Sequence, residues 1–369
     1  MIIRTITCHH VYNHGAYLQA YALAKYLHSS GHDATIIDYR PIYKDWSPFA
    51  IQKRFGSTIL NLLYSIAKFP SALMMYVRHR SFDKFFKSYM PVSAPIYRTL
   101  GELQSNPPKA DVYIAGSDQI WNTFFTQGSD EAYYLGFGTA RKISYAASFA
   151  TDQLRQGSEN KIKSFLANFQ AISVREQSAI PILHSLGYNG TQVVDPAFLL
   201  SADDWNKLAE PTYKKQSYVL VYDFYHSIDI EKAAKRIAQK QNLKIFSIGP
   251  YRLPYVDKNF TNASPRTFLR LVRDAEYVIS NSFHGSVFSI IYRKEFFVAD
   301  RCDGLNRRMS DLLEHYNLSH RHINVDTTDE QLFQHIDWNM VLPILNSDII
   351  QSKLFLQENI NCLSHVDCC

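Results

Sequence analysis

Residues 274–291, DAEYVISNSFHGSVFSII, constrain this chain more than any other stretch. A short apolar run at 275–279 stops abruptly at Ser280-Asn281-Ser282. A second apolar segment, 287–291, follows Phe283-His284-Gly285. The pattern reads as a buried strand, a tight polar turn and a helix. Open α/β sheets build ligand sites in this way: the site lies beyond the carboxyl end of the strand, where the helix N-terminus offers free N–H groups to an anion. His284 falls at that turn, beside a glycine that lets backbone approach a ligand. A histidine there can also cap the helix or pack against the loop. The convergence of serines, a glycine and a strand end favours a functional role.

The same rhythm recurs along the chain. Residues 2–8 read as a strand, 18–27 keep helical spacing until Gly31, and 34–39 form a second strand closed by Pro41. This βαβ unit opens a doubly wound sheet, and it lacks a GxGxxG dinucleotide fingerprint. Further strands are expected at 110–115, 142–148, 171–174 and 192–194 in the first half. In the second half they are expected at 218–222, 244–248 and 296–299, with helices at 230–241, from Pro265, and at 306–315. Their strand-end loops hold Ser117, Asp118, Gln119, Trp121 and Asn122 after one strand and Arg175 and Glu176 after another. Ser117 and Asp118 suit either a polar ligand site or a helix cap. Arg175 suits either a bidentate grip on a carboxylate or phosphate, or a salt bridge to Glu176 or Asp195. His9, His10 and His14 crowd the first loop without a carboxylate or cysteine pattern that would make a metal site, so one of them is expected to line a cleft.

At 369 residues the chain suits two domains of comparable size. The reading is α/β: a first Rossmann-like domain at 1–200, a second at 201–340, the two facing a cleft, and a helical tail at 341–369 packing back. Residues 46–90 break the alternation. They are helical in pattern, and from 51 to 90 they carry seven basic residues against one acid, Asp83. Such a stretch can lie on an anionic membrane as a peripheral contact; an inserted helical hairpin packed on the domain or on a second subunit is the favoured expectation. A net charge of +5 fits anionic small substrates or a membrane surface and does not call for nucleic acid. Five widely spaced cysteines, none in a CxxC pair, argue against a disulfide framework and a zinc knuckle and suit a reducing cytoplasm, at the inner face of the membrane if the basic stretch docks there. No signal peptide is read at the N-terminus, and no apolar run of about 20 residues is seen.

The segments NHGAYLQAYAL (13–23), AGSDQIWN (115–122), ISYAASFA (143–150), SVREQSA (173–179), VVDPAFLL (193–200) and 264–297 together resemble the polysaccharide pyruvyl transferase family. The resemblance implies a fold similar to GT-B glycosyltransferases. It also implies transfer of a pyruvyl group from phosphoenolpyruvate to two hydroxyls of a sugar, giving a cyclic ketal and phosphate, with no cofactor and no metal. The acceptor would be a sugar or lipid-linked oligosaccharide of a cell-surface or exopolysaccharide precursor. One departure matters. Many members carry an arginine two residues before the motif histidine, where this chain has Ser282. That anion contact is missing here or comes from elsewhere, with Arg307 and Arg308 as the candidates.

The chemistry assigns roles. The enol methylene must take a proton, and an imidazole, which titrates near neutrality, fits that task as His284. Arg175 and the helix N-terminus would hold the leaving phosphate, close to Ser282, Phe283 and Gly285. Asp118 or Glu176 would orient or deprotonate an acceptor hydroxyl. The sugar would lie against the first domain, near Asn13, Gly15, Gln19, Ser117, Asp118, Gln119, Trp121 and Asn122. Two rivals stand beside this reading: a nucleotide-sugar glycosyltransferase on the same architecture, and a glycan-binding subunit without activity.

Overall fold

Short apolar runs ending in small polar residues form parallel strands with both faces covered. The computed structural model describes residues 1–45, 49, 56–212, 216–302 and 306–361. Its first sheet contains β1 (Ile2–Ile6), β2 (Asp33–Tyr39), β3 (Val92–Tyr97), β4 (Val112–Ala115) and β5 (Arg141–Ser144), in the order β3-β2-β1-β4-β5. All the pairings are parallel. Two short strands, β6 (Ser173–Val174) and β7 (Thr191–Gln192), continue this sheet through bridges from Ile143 to Ala171 and from Ala147 to Val174. The second sheet holds β8 (Tyr218–Tyr222), β9 (Lys244–Ile248), β10 (Lys258–Phe260), β11 (Tyr277–Ser280), β12 (Glu295–Ala299) and β13 (His322–Ile323). Its order is β10-β9-β8-β11-β12-β13, again parallel throughout. In each sheet the strand order reverses once, at β1/β4 and at β8/β11. Those are the points where doubly wound sheets open a crevice at their carboxyl ends.

The halves share one core. An apolar cluster runs from Leu18, Leu23 and Phe82 through Phe198 and Trp205 to Phe268, Val287 and Phe288. Trp205 lies on the crossing segment. Its ring meets Phe288 edge-on at 5.0 Å, and its indole N–H donates to the Ala197 carbonyl. A single helix, Trp338–Asn361, returns to the first half: Ser352 Oγ accepts from Val194 N (2.9 Å), and the Asn359 carbonyl accepts from Arg141 Nε (2.7 Å).

Residues 58–89 form one 32-residue helix and not the expected hairpin. Residues 46–48 and 50–55 of the expected insertion lie outside the described residues. By length and composition this helix is also apolar enough to cross a membrane, against the reading that no such run exists. Ser65, Lys68 and Ser71 interrupt the run but leave its average apolar, which is why a search for unbroken apolar residues passes over it.

The closest seam between the halves is at the start of the helix His14–Ser29. Its N-cap Asn13 accepts from the Gly15 and Ala16 N–H groups, and His14 is wholly buried. His14 reaches the second half directly, with Nδ1 3.2 Å from Tyr222 Oη and Nε2 3.0 Å from the Ala263 carbonyl. Gly15 abuts the His284 ring so closely that a Cβ there would stand 2.1 Å from Nδ1.

Gly15→Ala gains about 1 kcal/mol of helix propensity but drives a methyl group into a buried ring, an overpacking that costs roughly 1–3 kcal/mol. A net loss is expected in chemical denaturation. Burial first, and then the charge of Arg78, hold the His14 imidazole well below its ordinary titration range. The unfolded chain takes up that proton below about pH 6.5 while the folded protein does not, so stability falls as pH drops through that value. Between pH 7.5 and 5.5, urea unfolding of His14→Asn should lose about 1.4 kcal/mol less than the parent.

Candidate functional site

Both reversal points aim their strand ends at one place. From the second sheet, β11 delivers Asn281, whose amide bonds Asp223 Oδ1 (2.7 Å) and the Phe224 N–H (3.1 Å), locking the two strand-end loops together. Ser282 is the N-cap of the helix Phe283–Ile291 and accepts from Gly285 N. Gly285 is required there, because a Cβ would lie 2.6 Å from Ser280 Oγ. The Ser282 cap takes the Gly285 N–H, and the N–H groups of Phe283 and His284 have no intrahelical acceptor.

His284, the second residue of that helix, is 6% exposed. Its Nε2 lies 3.4 Å from Asp195 Oδ2 and makes no aligned hydrogen bond; its Nδ1 lies against Gly15. Asp195 is fully engaged. Oδ1 accepts from Ala197 N, and Oδ2 accepts from Arg175 Nη1 at 3.0 Å and from Ser117 Oγ at 3.4 Å. Burial would push this carboxyl up, but His284 and Arg175 hold it well below the usual carboxylate range. The imidazole therefore faces a permanent negative charge.

Arg175 forms both of the salt bridges that the sequence left open beside the clamp. Nε bonds Glu176 Oε1 (3.1 Å), Nη1 bonds Asp195, and Nη2 bonds Ser148 Oγ. Burial opposes its charge, but Glu176 and Asp195 outweigh that and raise its pKa. Its guanidinium carbon lies 4.2 Å from the centre of the Phe283 ring. All of these bonds tie it to protein groups.

Arg308 differs. It is buried on the helix Arg307–His315, its guanidinium carbon is 5.6 Å from the same Phe283 ring, and no carboxylate among the described residues lies within salt-bridge distance. Its Nε has no partner; its two terminal nitrogens meet the Gln119 amide at 2.7 and 3.0 Å when that oxygen is turned toward them. Burial, then Arg175 and Arg301, lower its pKa to about 10. A buried cation with cations as neighbours is poised for an anion. Close by, Glu176 Oε2 and Ser178 Oγ are also buried without a hydrogen-bond partner. A cavity of about 80 Å³ opens here, with Arg175, Glu176, Asp195, Phe283, Arg308 and Asp311 among its walls.

Asp118 sits at the end of β4 with φ 74°, a left-handed conformation rare outside glycine and of the kind found at functional turns. Its Oδ1 accepts from Gln119 N. The other expected site residues have structural roles. Asn13 caps a helix. Gln19 donates to Thr7 Oγ1 and the Ala16 carbonyl, and Ser117 is buried against Thr7 and Asp195. Arg307 is turned outward to Asp311 (2.9 Å). Trp121 is a correction: expected against a sugar, it has no exposed surface, stacks on Tyr134 at 5.2 Å and donates to the Tyr133 carbonyl. Asn122 is likewise buried, accepting from Phe124 N. His14 bridges the halves, whereas His9, beside Asp38, and His10 line a small pocket with Arg40 and Lys44. Sequence reasoning missed Asp195 as a partner of His284. Its signals were an Asp-Pro turn ending an apolar run and its place in the segment VVDPAFLL, and neither pointed to His284. Among the described residues no group of three His, Cys, Asp or Glu side chains could hold a metal ion.

A model of the polysaccharide pyruvyl transferase family matches residues 13–303. No curated protein matches the chain by sequence. Among solved structures, the Staphylococcus aureus MnaA–UDP co-structure superposes with a TM-score of 0.53 at 12% identity, over 99% of this chain and 97% of that one. A Streptomyces glycosyltransferase, SsfS6 complexed with thymidine diphosphate, gives 0.43 at 10% identity, over 97% of this chain and 99% of that one. The Escherichia coli heptosyltransferase WaaC with ADP gives 0.40 at 12% identity, over 97% and 100%. The first of these likenesses and the two reversed parallel sheets describe a GT-B-like fold. With a match running through most of its length, the chain belongs to the polysaccharide pyruvyl transferase family.

Proposed function

We propose that the protein transfers the pyruvyl group of phosphoenolpyruvate onto two hydroxyls of a sugar, in a soluble or lipid-linked precursor of a cell-surface polysaccharide. The reading places the reaction in the cytoplasm, where this donor is made. The observation that carries it is Arg308, a buried guanidinium with no carboxylate within salt-bridge distance among the described residues, on a cavity that Asp195 and Phe283 also line. It supplies the anion contact that Ser282 cannot.

In this reading Arg308 and the first-turn N–H groups of the helix Phe283–Ile291 hold the donor phosphate. His284 hands a proton to the methylene carbon, and the Asp195 carboxylate, 3.4 Å from Nε2, stabilises the charged imidazole. The central carbon, now electron-poor, bonds to a sugar hydroxyl oxygen, and its bond to the phosphate oxygen breaks. A second hydroxyl closes the ketal. Of the two hydroxyl protons, one replaces the proton that His284 gave to the new methyl group and the other leaves on phosphate. Asp118, held on its strained turn with one oxygen outside that internal hydrogen bond, orients the acceptor. Arg175 acts by positioning: it fixes Asp195, Glu176 and the Phe283 ring.

Phosphate release from phosphoenolpyruvate with an acceptor glycan should fall by about 10²–10⁴-fold in His284→Ala and His284→Asn. A near-normal rate removes His284 from the mechanism. Arg308→Ala should raise the KM for phosphoenolpyruvate by about 10- to 100-fold, the loss expected for one or two charged hydrogen bonds. An unchanged KM rejects the anion seat. Thermal stabilisation by a nucleotide sugar, with none by phosphoenolpyruvate, would replace the donor altogether.

A further inference from the structure

The helix Thr58–Tyr89 turns its apolar stripe outward. Ile59, Leu62, Ile66, Phe69, Leu73 and Val77 follow one another at spacings of three and four residues, which puts them on one face, and each is 43–71% exposed. A stripe of this kind normally faces a core. Here the first domain's core is reached from the other side of the helix, near its C-terminal end, while Phe49 packs on Phe69 and Tyr76 at 6.1 and 5.6 Å. Arg78, His79, Phe82 and Phe85 are buried, with Phe82 packed 4.9 Å from His14 and 5.3 Å from Tyr17.

Past Val77 the outward stripe keeps its spacing but changes chemistry. Arg80, Lys84 and Lys87 continue it, all exposed. The one acid of the helix, Asp83, is turned inward to the Tyr12 hydroxyl, 3.3 Å away. A single helical face is thus apolar for most of its length and cationic at one end. A second copy of the chain covers only part of it. Parallel pairing would set cations on cations, and antiparallel pairing of the apolar segments would leave Arg80, Lys84 and Lys87 without a partner. A bilayer with anionic headgroups matches both parts.

We propose that this face docks the protein on an anionic membrane surface, with the apolar residues among the upper acyl chains and Arg80, Lys84 and Lys87 against lipid phosphates. The helix lies in the plane of the interface and does not span it. It has the length and composition to cross, but its buried C-terminal turns fasten it to the first domain. This inference is independent of the donor chemistry.

Flotation of the full-length protein with vesicles tests it. The parent should float with vesicles of phosphatidylcholine and phosphatidylglycerol and far less with phosphatidylcholine alone. Ile66→Asp with Leu73→Asp should lower the partition coefficient at least about tenfold. Lys84→Glu with Lys87→Glu should abolish the preference for anionic vesicles. All four positions are surface residues, so the melting temperature should hold. Absence of parent flotation, or equal flotation of parent and Asp variant, overturns the proposal. So does a parent dimer in light scattering that the Asp variant converts to monomer without any vesicle binding, which would assign the stripe to a second copy.

Discussion

The contact between Gly15 and the His284 ring is the constraint on which the rest depends. Two helix N-termini, one from each sheet, approach until only a hydrogen side chain fits between them. That approach brings the β4, β6 and β7 strand ends of the first half onto the start of the helix Phe283–Ile291. Asp195 can then face an imidazole from the other half at 3.4 Å, and Arg175 can lie on Phe283. Neither half holds the arrangement alone. Asp195 and Glu176 come from the first half, and the imidazole, the aromatic ring and the Arg308 guanidinium come from the second.

Electrostatics then divides two buried arginines that touch the same ring. Arg175 has Asp195 and Glu176 within bonding distance; Arg308 has an amide oxygen, with Arg175 and Arg301 opposing its charge more strongly than Asp118 and Glu176 favour it. Desolvating an unpaired charge is costly, so a fold that keeps one buried needs a compensating anion at some stage of its working cycle. The pairing pattern, more than the residue type, separates a binding group from a positioning group.

Much of this architecture was legible in sequence because parallel strands announce themselves as apolar runs ending in small polar residues. The β8 and β9 boundaries and the turn at 280–285 agree with that reading. The edge strands β3, β10 and β13 were not anticipated: β10 and β13 are only three and two residues long, and β3 contains Pro95, which only an edge position tolerates. Trp121 misled because an indole just past a strand end looks the same whether it turns to solvent or to the core. The φ of 74° at Asp118 is a feature of that turn, and composition does not encode it. Asp195 was underestimated for the opposite reason. Its importance comes from Arg175 and His284, which are distant in the chain and adjacent only once both sheets exist.

The C-terminal helix Trp338–Asn361 adds a mechanical consequence. The chain crosses between the halves once at the Trp205 segment and again along this helix, which is pinned at Ser352 and Asn359. A single tether allows two lobes to gape like a jaw; a double tether with a common apolar core resists that motion. The cavity that Arg308 lines is walled in part by the His315–Asp348 pair, 2.6 Å apart, so access through that side depends on side chains and not on a parting of the lobes.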